Sequence, residues 1–154
     1  MVRSLEMPSV VNTMCAGYFI NSSETGTPMS PHSSSSGKTT ANHRVQVALG
    51  MEDGRIYILN NFNLTLYANA KLSLTKMMAC SFLDGGNNVD MILCCGHFNS
   101  LLVYHKGNLL QKVGTCDWVN SISVAPCEVQ NEHNVYLGTL DGSILSYKLT
   151  VVLN

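Results

Sequence analysis

The chain has 154 residues, of which 45% are hydrophobic and only 12% are charged. A typical soluble chain carries about 25% charged residues, so the composition favours half-buried strands over long solvated helices. Its nine basic and ten acidic residues form no basic stripe, which excludes an electrostatic nucleic-acid surface and a polybasic membrane patch.

The apolar runs of the chain are short. Met91–Cys95 is one of the longest, far below the roughly 20 residues that a membrane-spanning helix needs. Glu6 and Pro8 interrupt the N-terminal residues, so no apolar core of a signal peptide forms there. We therefore expect a cytoplasmic chain whose six cysteines are reduced, mostly buried thiols.

The first predicted elements are a strand and a long loop. Residues 10–19 are a mixed small and apolar run that suits the inner strand of a small sheet. Residues 21–41 are rich in Ser, Thr, Gly and Pro and hold few apolar side chains. Such a segment cannot offset the entropy of ordering, so we predict a disordered Ser-rich insertion in a surface loop.

The rest of the chain repeats one pattern. Residues 45–59, 89–104 and 134–147 are each an apolar strand, a glycine, a short polar turn and a strand that carries Tyr. Each follows a predicted inner strand (10–19, 75–82 and 119–124) and precedes an outer run (64–72, 109–116 and 149–153). The aligned glycines, Gly50, Gly96 and Gly138, are 46 and 42 residues apart, close to the 40–45 residues of a four-stranded propeller blade.

The glycine-containing turns are predicted hairpin links. Asp53-Gly54 and Asp141-Gly142 favour type I′ turns, which need positive φ at both central residues. Asn99-Ser100 stands at the corresponding place in the middle repeat. The aligned glycines predict close packing or a bulge at strand ends.

These patterns predict an all-β fold: an open-ended, partial β-propeller of about three four-stranded, WD40-like blades. The predicted blades are residues 8–72, 73–116 and 117–154. A plain meander of antiparallel strands is the alternative. No segment shows sustained helical periodicity.

No candidate reaction site meets its requirements. Ser36-Gly37-Lys38-Thr39 resembles the end of a phosphate-binding loop, but His32 stands where the motif needs a glycine. Cys95 and His97 lack the further ligands of a zinc site, and the apolar strand around Cys94 and Cys95 should raise both thiol pKa values. We therefore predict no catalytic, cofactor-binding or metal-binding residues, and a non-enzymatic protein.

Trp118 is the single tryptophan and opens an inner strand. Core packing is the favoured interpretation, because tryptophan is highly buried on average. A partner-contact anchor on the propeller face is the alternative.

Several ordered motifs resemble a known family, that of the Bardet–Biedl syndrome 1 protein, a subunit of the BBSome ciliary coat complex. The resemblance to its N-terminal propeller covers nearly the whole chain outside the Ser-rich loop. The motifs are Met7-Pro8-Ser9-Val10, Ala16-Gly17-Tyr18-Phe19, Gly54-Arg55-Ile56-Tyr57-Ile58-Leu59, His105-Lys106-Gly107 and Gly138 to Tyr147. The family's chain is several times longer, and the loop has no counterpart in it.

The resemblance implies a scaffold that helps carry membrane proteins to and from cilia. It implies as partners the other BBSome subunits, an Arf-like small GTPase in its GTP form and ciliary membrane-protein cargo, with membrane association only through partners. The implied locations are the cytoplasm, the cilium, the basal body and the ciliary membrane coat. No motif here matches the GTPase-contacting surface, so no partner-binding residues are transferred. The alternative is a propeller subunit of another vesicle coat or assembly unrelated to cilia.

Overall fold

A computed structural model describes residues 4–21, 44–81, 83–84, 87–129 and 132–150. These residues form strands and turns without a helix, which confirms the all-β prediction. The strands in chain order are β1 (Val11–Gly17), β2 (Gln46–Met51), β3 (Arg55–Asn60), β4 (Asn63–Asn69), β5 (Leu74–Cys80), β6 (Leu83–Asp84), β7 (Asn87–Asn88), β8 (Met91–Gly96), β9 (Phe98–His105), β10 (Asn108–Gly114), β11 (Val119–Pro126), β12 (Glu132–Thr139) and β13 (Ile144–Thr150).

The strands form three antiparallel sheets in chain order. Sheet 1 has the order β1-β2-β3-β4, sheet 2 the order β5-β8-β9-β10, and sheet 3 the order β11-β12-β13. The short hairpin β6-β7 lies between β5 and β8 in the chain. Neighbouring strands in each sheet are antiparallel.

The third sheet differs from the prediction of four strands. In the described part of the chain it has three, because Leu149 belongs to β13 instead of opening the outer strand expected at 149–153. Residues 151–154 lie outside the described residues, as does the predicted loop 21–41 apart from Asn21. The division into blades at 8–72, 73–116 and 117–154 stays a prediction.

The first strand of each sheet has a bulge at the same place. The register shifts between Val11 and Thr13 in β1, between Leu74 and Lys76 in β5, and between Val119 and Ser121 in β11. In sheets 1 and 3 the aligned glycine pairs with the residue after the shift, Thr13 with Gly50 and Ser121 with Gly138. In sheet 2 the glycine is one residue further along, because Gly96 pairs with Leu74, the residue before the shift. A Cβ on Gly96 would collide with the backbone carbonyl of Ser73, so the missing side chain permits the close approach at this strand end, as predicted.

The Asp-Gly links are not type I′ turns. In the first, the Gly54 N–H donates to the Met51 carbonyl, and Gly54 has a φ of 86° while Asp53 has no positive φ. The Gly142 N–H likewise donates to the Thr139 carbonyl. Both are therefore type I turns followed by a left-handed glycine, which suits hairpins with more than two loop residues.

The two-residue type I′ geometry occurs instead at the outer hairpins. Asn61 and Phe62 have φ values of 49° and 65°, and they link β3 to β4. Lys106 and Gly107, with φ values of 48° and 80°, link β9 to β10. Both pairs have positive φ at both central residues, which matches the twist of the flanking strands.

The predicted turn at Asn99-Ser100 is also wrong. Both residues lie in β9, and the link is the single residue His97 between paired Gly96 and Phe98. Ser100 pairs with Gly114 of β10. The ladder with β10 therefore extends across the residues that were expected to turn.

Two apolar layers hold the three sheets together. The first layer joins Ile56 and Ile58 of sheet 1 to Ile92 and Leu102 of sheet 2. The second joins the opposite face of sheet 2, including Met91, Leu93 and Val103, to Val135 and Leu137 of sheet 3. Sheet 2 is consequently covered on both faces, which explains why β8 is buried at every position.

A buried polar network fixes the end of β1. The Gln46 side chain accepts hydrogen bonds from the Phe19 and Ile20 N–H groups and donates to the Ile20 carbonyl. Asp90 accepts from the Tyr18 N–H at 2.9 Å, and its own N–H donates to the Tyr18 carbonyl. These bonds satisfy backbone groups that would otherwise be buried without partners.

Candidate interaction surface

One end of the three sheets, here called the hairpin end, carries the links between their second and third strands. It comprises Val10, Ser73 and Trp118, which precede the first strands, and residues 52–54, 97 and 140–142. One backbone hydrogen bond recurs in all three sheets: Glu52 N–H donates to Val10, His97 to Ser73 and Leu140 to Trp118, at 2.9–3.1 Å. The hairpin end therefore has the same backbone arrangement in each sheet.

Trp118 is exposed at the hairpin end, which contradicts the prediction of core packing. Trp118 is 41% exposed, and the centre of its ring lies 4.8 Å from the centre of the His97 ring, with the two ring planes tilted by 36°. The Trp118 N–H donates to the Asp117 side chain and its carbonyl accepts from Leu140. The side chain is thus held outward by its own backbone bonds and by the imidazole.

A cavity of about 270 Å³ lies beside this ring pair. Trp118, Val119 and Leu140 supply its apolar wall, and Leu140 is 59% exposed. Its remaining lining residues are Thr75, Lys76, Gly96, His97 and Asn120. An apolar wall with a polar rim and a fixed aromatic ring is the arrangement found at the centre of protein–protein contacts.

Further apolar residues are exposed at or next to the hairpin end. Val10 is exposed beside the first link, and Leu72 lies just before β5. The Arg55 side chain pairs with Asp53 and donates to the Tyr57 hydroxyl at 2.9 Å. The surface thus combines exposed apolar side chains with three turn carboxylates, Glu52, Asp53 and Asp141, of which Asp53 is paired with Arg55.

The turn carboxylate Asp141 accepts two hydrogen bonds from neighbouring residues. Its Oδ1 accepts from Thr139 Oγ1 at 2.6 Å and from the Ser143 N–H at 3.0 Å. The Thr139 hydroxyl, with the Ser143 N–H, lowers the pKa of Asp141 to about 2. Asp141 therefore stays ionised next to Leu140 over the physiological pH range.

The cysteines within β8 are buried, as predicted. Cys94 and Cys95 are fully buried, and burial raises both thiol pKa values, that of Cys95 to about 12. A thiol that stays protonated is a poor nucleophile. Cys116 departs from the expectation of buried thiols because it is exposed.

The structure does not bring Cys95 and His97 together as ligands. Cys95 belongs to the second apolar layer, whereas His97 is exposed at the hairpin end. Across the described ranges, no group of three or more His, Cys, Asp or Glu residues could hold a metal ion. The phosphate-loop-like segment 36–39 lies outside the described residues.

A second cavity lies away from the hairpin end, between β4 and the β9–β10 turn. It measures about 320 Å³, and its walls include Phe19, Leu66, Tyr67 and Val89. Tyr67 is buried, and its hydroxyl makes no hydrogen bond of normal geometry to the described residues. Burial raises the pKa of Tyr67 to about 12, so this hydroxyl is a neutral donor.

Sequence reasoning missed this cavity and the exposure of Trp118. Tyr67 is the extra residue at a register shift between β3 and β4, which no local sequence signal marks. The sequence signal that could have predicted the exposure of Trp118 was its position at the very start of the predicted inner strand. Its equivalents Val10 and Ser73 make the same backbone bond.

Comparison with known proteins gives no family assignment. No protein-family model matches the chain, and no curated protein matches it. The described residues include no helix with the length and apolarity to cross a bilayer. Function is therefore proposed from the fold, the hairpin end and the resemblance of the sequence motifs.

Proposed function

We propose that the chain is a partial β-propeller that acts as a non-enzymatic interaction module of the BBSome coat, in protein trafficking to and from the ciliary membrane. The observation that carries the proposal is the threefold repetition of one unit. Each sheet has the same bulge at the start of its first strand and the same backbone bond at the hairpin end. Such repetition is typical of blades.

The packing of the sheets supports a blade arrangement. The first strand of sheet 2, β5, contacts both β1 and β11. The first strands therefore line up side by side, and the later strands of each sheet extend away from this line. In propellers the first strands line the central channel in this way.

The hairpin end supports a binding role. Trp118, His97 and Leu140 form a fixed, partly apolar surface with an adjacent cavity. The partners follow from the family resemblance: the other BBSome subunits, an Arf-like GTPase bound to GTP, and ciliary cargo. The chain would act in the cytoplasm and at the ciliary membrane coat.

Binding to purified partners tests the proposal. The tagged chain is mixed with recombinant BBSome subunits and with the Arf-like GTPase loaded with GTP or GDP. We expect retention of BBSome subunits, and retention of the GTPase only in its GTP form. Trp118→Ala should weaken retention at least tenfold, because central aromatic residues dominate contact energies.

Tyr136→Ala is the matched control. Tyr136 is also an aromatic residue with 41% exposure, but it lies within β12, away from the hairpin end. This variant should bind as the wild type does. Retention of no BBSome component by a folded chain would refute the ciliary proposal, and stoichiometric copurification with a different vesicle coat would favour the alternative.

A further inference from the structure

The Asp-Gly turns of sheets 1 and 3 hold their aspartates in the same way. Asp53 Oδ1 accepts a hydrogen bond from the Arg55 N–H at 3.1 Å, and Asp141 Oδ1 accepts one from the Ser143 N–H at 3.0 Å. In each turn the donor is the residue that follows the glycine with positive φ. The two carboxylates therefore occupy equivalent places in the two turns.

In sheet 1 the second oxygen of this carboxylate binds a guanidinium. Asp53 Oδ2 accepts hydrogen bonds from Nε and Nη2 of Arg55, at 2.8 and 2.5 Å. The guanidinium carbon of Arg55 lies 5.6 Å from the centre of the Tyr57 ring, within the range of a cation–π contact. A carboxylate and an aromatic ring thus hold one guanidinium together.

Sheet 3 has the same carboxylate without an arginine in the turn, because Ser143 stands where sheet 1 has Arg55. Asp141 is exposed and ionised over the physiological pH range. Among the described residues, no ion pair joins Asp141 to a cationic side chain. The charge that sheet 1 neutralises within its own turn is therefore exposed in sheet 3.

The exposed indole of Trp118 lies beside this carboxylate. The Leu140 N–H donates to the Trp118 carbonyl at 3.0 Å, which brings the turn next to the start of β11. The Cys116 thiol contributes to the lowered pKa of Asp141, so the carboxylate lies close to this segment. Asp117 adds a second carboxylate, which accepts from the Trp118 N–H. Sheet 3 therefore combines the two kinds of group that hold the guanidinium in sheet 1.

The described arginines of the chain have partners of their own. Arg55 binds its own turn carboxylate, and Arg44 donates to Asn61 Oδ1 at 3.1 Å. Lys76 lies on the sheet 2 wall of the cavity beside Trp118, but an ammonium lacks the planar face with which a guanidinium stacks on an indole. A second copy docked through the same surface would oppose like carboxylates, which is unfavourable. Charge complementarity therefore favours an arginine of a partner protein.

We propose that the Asp141 carboxylate and the Trp118 ring together bind one arginine side chain of a partner protein. The guanidinium donates to Asp141 Oδ2, as that of Arg55 does to Asp53 Oδ2, and its plane stacks on the exposed indole. The apolar stem of the arginine packs against Leu140 in the cavity. This inference rests on the binding role proposed for the hairpin end and names the chemistry of its partner, and it does not require the ciliary assignment.

Short peptides test the site directly. Acetyl-Gly-Arg-Gly-amide is titrated into the chain while NMR follows the indole N–H signal of Trp118, the single tryptophan. The same peptide with citrulline, which keeps the shape of arginine without its charge, is the matched probe. We expect the arginine peptide to bind at least fivefold more tightly than the citrulline peptide, and Asp141→Asn to weaken it at least threefold. Glu52→Gln, which changes an exposed turn carboxylate of sheet 1, should leave binding unchanged.

Ser143→Arg transfers the arrangement of sheet 1 to sheet 3. The new guanidinium should bind Asp141 from within the turn and weaken binding of the arginine peptide at least fivefold. Ser143→Gln, which adds a long polar side chain without charge, is the control and should bind the peptide as the wild type does. Backbone amide signals of sheet 1 report whether each variant is folded.

Three results would overturn the proposal. The first is equal binding of the arginine and citrulline peptides, or arginine binding that survives Asp141→Asn. The second is arginine binding that appears only in Lys76→Ala, which would make Lys76 the partner of Asp141. The third is a Trp118 signal that shifts with protein concentration and no longer does so in Arg3→Gln, which would assign the site to a second copy of the chain.

The failure of this inference is distinguishable from the failure of the proposed function. Retention of BBSome subunits by a chain that does not bind the arginine peptide would refute the arginine site and leave the proposed function standing. Arginine binding without retention of any BBSome component would refute only the ciliary assignment.

Discussion

Gly96→Ala is the sharpest test of the repeated bulge. A Cβ at Gly96 would collide with the backbone carbonyl of Ser73, which cannot rotate away as a side chain can. Overpacking of this kind costs about 1–3 kcal/mol. The shift would also weaken the 3.1 Å bond from the His97 N–H to Ser73, worth about 0.5–1.5 kcal/mol.

The free energy of unfolding should therefore fall by about 1.5–4.5 kcal/mol. Urea unfolding followed by the fluorescence of Trp118, the single tryptophan, measures it. Gly114→Ala is the control, because a Cβ there would meet nothing within 4 Å. The reasoning would be refuted by a Gly96→Ala variant within about 0.5 kcal/mol of the wild type, the range of neutral surface substitutions.

Three further outcomes are expected. Thr139→Val should raise the pKa of Asp141 from about 2 toward the ordinary aspartate value, as measured by NMR titration of the carboxyl group. Because the wild-type pKa is lowered, the ionised carboxylate stabilises the folded chain fully above the ordinary value, and this stabilisation is lost as the pH falls through about 2. An unchanged titration midpoint in the variant would contradict the assignment. Phe62→Gly should stabilise the chain by about 0.5 kcal/mol in urea unfolding, since Phe62 has a φ of 65° and a Cβ is unfavourable there; a destabilised variant would show that the ring outweighs the backbone term. Iodoacetamide at pH 8 should alkylate exposed Cys116 at least about a hundredfold faster than buried Cys94, and equal rates by mass spectrometry would show that β8 opens readily.

The strands and their order could be predicted because their signals are local. Apolar runs, aligned glycines and turn residues located the segments that became β1, β2, β3 and their counterparts in the other sheets. Close packing at a strand end could be anticipated as well, since a Cβ on Gly96 would collide with the backbone carbonyl of Ser73.

The turn types could not be predicted because cross-strand register determines them. Asp53-Gly54 favours a two-residue turn in isolation, but the pairing of Gly50 with Ile56 leaves a longer loop. Phe62, a poor residue for positive φ, takes a type I′ position because Asn60 and Asn63 are paired around it. Long-range pairing thus overrides local preference at both hairpins.

The exposure of Trp118 was mispredicted for a related reason. Average burial describes a residue type, whereas a side chain at the hairpin end is exposed wherever the backbone directs it outward.

The cavity beside Tyr67 could not be predicted either, because it depends on the packing of β4 against the β9–β10 turn, two elements that are distant in the sequence.

At the hairpin end of each sheet, one residue accepts the recurring hydrogen bond with its main-chain carbonyl, and this bond leaves the side chain of that residue unconstrained. Val10, Ser73 and Trp118 accept the same bond through the main chain, although their side chains share neither size nor polarity. Folding therefore tolerates wide variation at this position in every sheet. The residue at this position, which is a tryptophan in sheet 3, can therefore be substituted to suit a binding partner while the backbone beneath it stays the same.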